Sequence, residues 1–183
     1  MNSHEHKTFL LHGVTGSGKT QLYLRATARC ISQDKTAIIL VPEIILTDQI
    51  VRRFVETFGD EVVVFHSKLT VQQRNNNWER LRRKDSHIII GARSAVFAPA
   101  EDIGLIVVDE EHDPSYKQED MVRYHARNVA LWRAEAHGCP VILGSATPSV
   151  TSYYKAKQGE YQLLELPNRI FEQPMPKVTI VDM

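Results

Sequence analysis

Eight consecutive residues, Gly13-Val14-Thr15-Gly16-Ser17-Gly18-Lys19-Thr20, fit G-x-x-x-x-G-K-[ST] at every fixed position. They follow the apolar run Phe9-Leu10-Leu11 and precede a helical stretch, the context a phosphate-binding loop requires. Glycines let such a backbone curl so that its amides point at phosphate oxygens, and the following helix adds its positive end. Lys19 is expected to reach the β- and γ-phosphates of a nucleoside triphosphate such as ATP. Thr20 is expected to ligate its magnesium ion. An ordinary glycine turn with a chance lysine would not satisfy all four fixed positions between a strand and a helix.

A site of this kind needs an acid, expected at the end of a buried strand beside the first. Leu105-Ile106-Val107-Val108 delivers Asp109 in that position, as the second magnesium ligand. Glu110 follows, placed to orient or deprotonate an attacking water. Lys19, Asp109 and Glu110 are thus the candidate catalytic residues. A solvated acidic turn would not explain four buried-type residues directly before the acid.

The remaining elements must position these groups. Short continuous apolar runs recur at Ala37–Val41, Val62–Phe65, Ile88–Ile90 and Val141–Leu143, as strands covered on both faces do. Amphipathic stretches lie between them: Ile50, Phe54 and Phe58 repeat at four, Thr70 is a candidate N-cap, and a helix through Val129 and Trp132 stops at Gly138 and Pro140. The alternation predicts an α/β fold, a three-layer, doubly wound, mostly parallel sheet. Tyr161–Leu166 and Lys177–Val181 read as further strands, joined by a proline-rich connector over 167–176. The domain division is therefore 1–166 for the nucleotide-binding lobe and 167–183 for a connector, with the natural protein expected to continue.

The chain has 183 residues, 43% hydrophobic and 24% charged, with 22 basic and 22 acidic side chains. That is one ordinary globular domain and excludes disordered, collagen-like and disulfide-stapled classes. Zero net charge argues against gripping nucleic acid by bulk charge. The neutrality hides a dipole: residues 61–100 net +4 and residues 101–120 net −7. The acidic block either binds metal or forms a solvated face. Cys30 and Cys139 are too few for a cysteine zinc site and read as buried apolar residues of a cytoplasmic protein. No apolar run approaches the about 20 residues of a membrane span.

Asp109-Glu110-Glu111-His112 is a DExH box, and Ser145-Ala146-Thr147 follows the next apolar strand. Phosphate loop, DExH box and S-A-T, in that order, resemble the first motor lobe of a superfamily 2 helicase. The resemblance implies that His112, Ser145, Ala146 and Thr147 couple the nucleotide to nucleic-acid movement. It narrows further. Val41-Pro42-Glu43-Ile44, Phe65-His66-Ser67, Gly91-Ala92-Arg93-Ser94-Ala95-Val96-Phe97, Ser115-Tyr116-Lys117-Gln118, Arg123-Tyr124-His125-Ala126-Arg127 and Gly144–Pro148 are similar to the PriA family of replication-restart helicases, and the DEEHD box joined to S-Y-K-Q and R-Y-H-A-R is specific. The family implies an ATP-dependent, 3′-to-5′ DNA translocase acting on single-stranded and forked DNA with other primosome proteins. Its DNA-binding region, second lobe with arginine finger, and zinc module have no counterpart here, so no zinc is expected.

The stretch from Asp113 to Arg127 interleaves aromatic and basic residues, which suits single-stranded nucleic acid. Tyr116, Lys117, Arg123 and Tyr124 are candidate DNA contacts, with the tyrosines as base-stacking platforms or, alternatively, as loop packing. Arg93, Ser94 and Pro42–Thr47 resemble backbone contacts of such helicases. His12, His66 and Trp78 read as packing residues. Two other readings remain: another superfamily 2 translocase, such as a branch-migration or restriction motor, and a non-catalytic nucleotide-responsive module recruiting primosome partners. The intact Lys19, Thr20, Asp109 and Glu110 count against the second.

Overall fold

The computed structural model describes residues 6–43 and 49–170. The expected strand at Lys177–Val181, and most of the Pro42–Thr47 segment, lie outside these residues. Each remaining apolar run forms a strand: β1 (Thr8–Gly13), β2 (Thr36–Leu40), β3 (Val62–Phe65), β4 (Ile88–Gly91), β5 (Ile103–Val108), β8 (Val141–Ser145) and β9 (Gln162–Leu166). Among the described residues they make a seven-stranded sheet in the order β3-β4-β2-β5-β8-β1-β9, with every pairing parallel. Two short strands, β6 (Lys117–Gln118) and β7 (Tyr124–His125), pair antiparallel as a separate hairpin.

The topology corrects one expectation. The acid-bearing β5 is not beside β1, because β8 lies between them and pairs with both. The strand that ends in Ser145 therefore separates the phosphate loop from the acids.

Helices cover both faces, which is why the strands read as continuous apolar runs rather than alternating ones. On one face, Tyr23, Leu24 and Cys30 of α1 (Lys19–Ile31) and Ile50 and Phe54 of α2 (Gln49–Phe58) pack on Leu11, Ile39, Val107 and Ile142. On the other, Leu81 of α3 (Val71–Arg82) and Ala126, Ala130 and Ala134 of α4 (Ala126–His137) meet Leu10, Ile38, Ile106 and Leu143. A stripe of alanines rather than large side chains lets α4 sit close to the sheet and leaves Trp132 outward, 69% exposed. A fifth helix, α5 (Val150–Lys157), packs on β1 and β9.

The expected helix ends are present. Thr70 caps α3 in a reciprocal box with Gln73, whose N–H donates to the threonine hydroxyl while its side chain accepts from the Thr70 N–H. Gly138 ends α4 at φ +61, a conformation that strains residues with a Cβ. Cys30 and Cys139 are buried, and burial raises their thiols to about 12 and about 11, which makes both unreactive.

Candidate nucleotide and nucleic-acid site

The phosphate loop, the DExH box and S-A-T all lie at the carboxyl edge of the sheet, where ligands bind in open α/β folds. Gly16 and Gly18 hold φ of +81 and +91, so the loop's curl depends on glycine. A Cβ on Gly13 would stand 2.6 Å from Ser17 Oγ, so a side chain there would fill the cradle. Ser17 Oγ is itself buried with no hydrogen-bond partner. Lys19 Nζ donates to Gly13 O at 2.8 Å and lies 3.8 Å from Glu110 Oε1. Thr20 follows Lys19 in the first turn of α1. A strained glycine loop, an orphaned hydroxyl and a lysine facing an acid are what a bound triphosphate would complete, so these residues fit that ligand. After β9 the chain crosses this loop: Ile170 N–H donates to Gly16 O at 3.0 Å, and Ile170 Cδ1 would lie 2.6 Å from a Cβ on Gly18.

Asp109 is 9% exposed and is held from two sides. The Tyr23 hydroxyl, one turn beyond Thr20 on α1, donates to Asp109 Oδ1 at 2.9 Å. The Tyr116 hydroxyl donates to the Asp109 carbonyl at 2.6 Å. Gly144 makes the first contact possible, since a Cβ there would stand 1.7 Å from the Tyr23 hydroxyl oxygen. Burial pushes the Asp109 carboxyl up to about 6; the Tyr23 hydrogen bond lowers it, the Glu110 charge adds to the rise, and Lys19 opposes it. Asp109 with Thr20 could hold a divalent cation, which would draw that carboxyl back toward its ionised form.

Glu110 has φ +45, a left-handed conformation costly for a residue with a side chain, as at many functional sites. Around it the residues expected to couple nucleotide and nucleic acid converge. His112 Nδ1 is 2.8 Å from Ser145 Oγ and 3.7 Å from Glu110 Oε2. The Ser145 hydroxyl lies 3.5 Å from Glu110 Oε2 and accepts from Thr147 N–H at 2.9 Å, while Thr147 Oγ1 is 3.4 Å from His112 Nε2. Ala146 joins the last two residues of this set.

Sequence reasoning gave Glu111 no role beyond its motif and counted Arg127 only among the basic residues of the loop that suit nucleic acid. Glu111 is fully buried and accepts from Arg127 Nη1 at 2.6 Å, the Ser149 N–H and the Ser152 hydroxyl. Burial alone would raise this carboxyl, but the Ser149 amide, Arg127 and Ser152 together hold it below its ordinary value. The pair ties the DExH box to the starts of α4 and α5.

The loop from Asp113 to His125 differs from expectation. Tyr116 is fully buried, so its ring cannot stack on a base; it packs in the core and its hydroxyl holds Asp109. Tyr124 is half-buried, edge-on to Phe97 at 5.0 Å between ring centroids. Arg93 Nη1 donates to the carbonyls of Ser115 and Lys117, so it braces the loop. Lys117 is exposed and paired with Glu119 at 2.6 Å. Arg123 and Ser94 are exposed. His12 packs edge-on to Tyr153, and His66 is half-buried. Trp78, expected to pack, is 44% exposed, because Leu81 takes the inward face of α3.

The DEAD/DEAH box helicase family profile matches residues 1–156. The chain belongs to that family. This helicase lobe is 53% identical to the replication restart protein PriA of Bacillus subtilis over all of its 183 residues, which are 23% of that protein. It is 44% identical over 177 residues to the PriA protein of Treponema pallidum, covering 27% of it. The lobe thus spans about a quarter of the curated relatives it matches. Among solved structures, RecG bound to a three-way DNA junction superposes with TM-score 0.63 at 22% identity, over 90% of the lobe and 21% of RecG. The DUF1998 helicase MrfA bound to DNA gives 0.59 at 20%, over 89% and 25%. These likenesses establish the RecA-like fold of the lobe, and the family implies use of a nucleotide and a divalent metal. No helix among the described residues is long and apolar enough to cross a membrane.

Proposed function

We propose that this lobe is the ATP-binding motor half of a replication-restart DNA helicase that moves 3′ to 5′ on single-stranded DNA. The lobe spans 1–166, with 167–183 leading to the rest of a cytoplasmic enzyme that acts on forked DNA with other primosome proteins. The reading rests on the line of groups that runs from Lys19, ion-paired with Glu110, through Ser145 to His112 and Thr147.

The backbone of residues 13–20 cradles the phosphates of ATP, and Lys19 exchanges the Gly13 carbonyl for their β- and γ-oxygens. Thr20 and Asp109 would hold the magnesium ion, which would supply charge neutralisation to the phosphates. Glu110 takes the proton of the attacking water. Its Ser145 and His112 neighbours register the change in its charge and carry it to Thr147. Transition-state help from an arginine finger, about 10³–10⁵ in rate, comes from outside this lobe. The isolated lobe is therefore a feeble ATPase without unwinding activity.

The test is ATP hydrolysis by the full-length protein with and without single-stranded DNA, beside calorimetry of ATP binding to Lys19→Ala. DNA-stimulated hydrolysis and a large loss of affinity are expected. No stimulation, or undiminished binding by Lys19→Ala, defeats the assignment.

A further inference from the structure

A small cleft of about 170 Å³ opens between α3 and the turn after β4. Its walls include Trp78 and Phe97, 44% and 52% exposed. Arg74 lies on the same side of α3 as Trp78, one turn earlier, and also lines the cleft. The mouth carries His66, Ser67 and Ser94, just beyond the carboxyl ends of β3 and β4. Phe97 reaches this place because Gly91 lets the chain turn back tightly: a Cβ there would stand 2.5 Å from Ala95 Cβ and 2.6 Å from Phe65 O.

Neither Arg74 nor the neighbouring Lys68 makes an ion pair among the described residues. No acid lines the cleft. Ser67 and Ser94 also line the adjoining hollow at the root of the hairpin, where Arg93, Gln118 and Tyr124 lie and where Glu43 accepts from the Ser67 hydroxyl. The edge contact of Phe97 with Tyr124 extends the aromatic line from one hollow into the other. Two large aromatic side chains facing a polar-mouthed cleft, with unpaired cations beside it, match an unstacked base and its phosphates.

We infer that this cleft is a nucleobase subsite: one base of a single strand stacks on Trp78 and Phe97 while Arg74 and Lys68 meet its flanking phosphates. The subsite rests on the DNA-binding reading above, and it replaces Tyr116 as the stacking platform of the lobe. Residues of the longer protein could instead cover these two rings, and the test separates that case.

The chain has two tryptophans, so Trp132→Phe leaves Trp78 as its single indole. In that background, titration with oligothymidylate is followed by Trp78 emission, by salt-dependent affinity and by photocrosslinking of a 5-bromouracil substituent. Quenching of Trp78 and crosslinks at Trp78 or Phe97 are expected. Measured by affinity in the otherwise unaltered chain, Trp78→Leu, which keeps apolar packing, weakens binding roughly fivefold or more, the low end for a base–aromatic stack. Trp78→Phe restores most of it at an unchanged melting midpoint. If the oligonucleotide binds but emission, crosslinks and the leucine variant all ignore it, the subsite is wrong while the DNA reading stands, and the rings belong to an interdomain contact. If the wild-type chain binds no oligonucleotide, the subsite falls, and the DNA reading rests on the full-length test alone.

Discussion

Asp109→Asn is expected to stabilise the metal-free lobe at neutral pH while disabling it. The carboxyl is 9% exposed and burial raises it from 3.8 to about 6. The folded state therefore holds a proton more tightly than the unfolded chain does. Its contribution is most favourable below about pH 4 and is lost as pH rises through about 6. A shift of about two units amounts to about 3 kcal/mol of destabilisation from the buried charge at pH 7.5. Asparagine keeps an oxygen for the Tyr23 hydroxyl and carries no charge, but it brings an amide donor in need of a partner, which takes back about 1 kcal/mol. A net gain near 2 kcal/mol raises the melting midpoint by about 4–8 °C in a domain of this size. The assay is thermal unfolding of wild type and Asp109→Asn in chelator at pH 7.5 and pH 4.5. The advantage should appear at the higher pH and shrink or reverse at the lower. A variant less stable than wild type at pH 7.5, or an advantage independent of pH, would refute the account of Asp109 as a carboxylate held against its burial.

Three further outcomes follow from the same site. Tyr116→Phe keeps the buried ring but removes the donor to the Asp109 carbonyl; it should lower stability by about 1–3 kcal/mol in unfolding assays and, in the full-length enzyme, lower basal hydrolysis while leaving the ratio of DNA-stimulated to basal rate unchanged. Arg127→Ala strands the buried Glu111 charge and should cost about 3–5 kcal/mol by denaturant titration, much of it recovered in the double variant with Glu111→Gln. Glu110→Gln should bind ATP normally by calorimetry yet hydrolyse it at a small fraction of the wild-type rate.

The strands and the phosphate loop were legible because they depend on local rules: continuous apolar runs mark covered strands, and Gly16 and Gly18 mark left-handed turns. Strand order was not local, so the place of β8 between β1 and β5 could not be read from the acid-ended run alone. The loop misled for a related reason. A tyrosine among basic residues looks the same in sequence whether its ring faces solvent or its hydroxyl reaches a main-chain carbonyl seven residues away. Trp78 was misread in the opposite direction, because the helical period around it is weak and Leu81 takes the inward position. Glu111 looked like one more acid in an acidic run until Ser149 and Ser152 from a distant helix start gathered around it.

Adjacent strands lie about 4.8 Å apart, so the insertion of β8 sets the ends of β1 and β5 about 10 Å from each other. The sheet acts as a ruler. That interval accommodates the Asp109 side chain on one side and the curled loop on the other. The gauge is built from backbone hydrogen bonds, so substitutions in the loops can retune chemistry without changing the width of the opening. Ser145, at the tip of the inserted strand, stands on the midline of that interval, where any lengthwise slip of β8 would be felt by both banks at once.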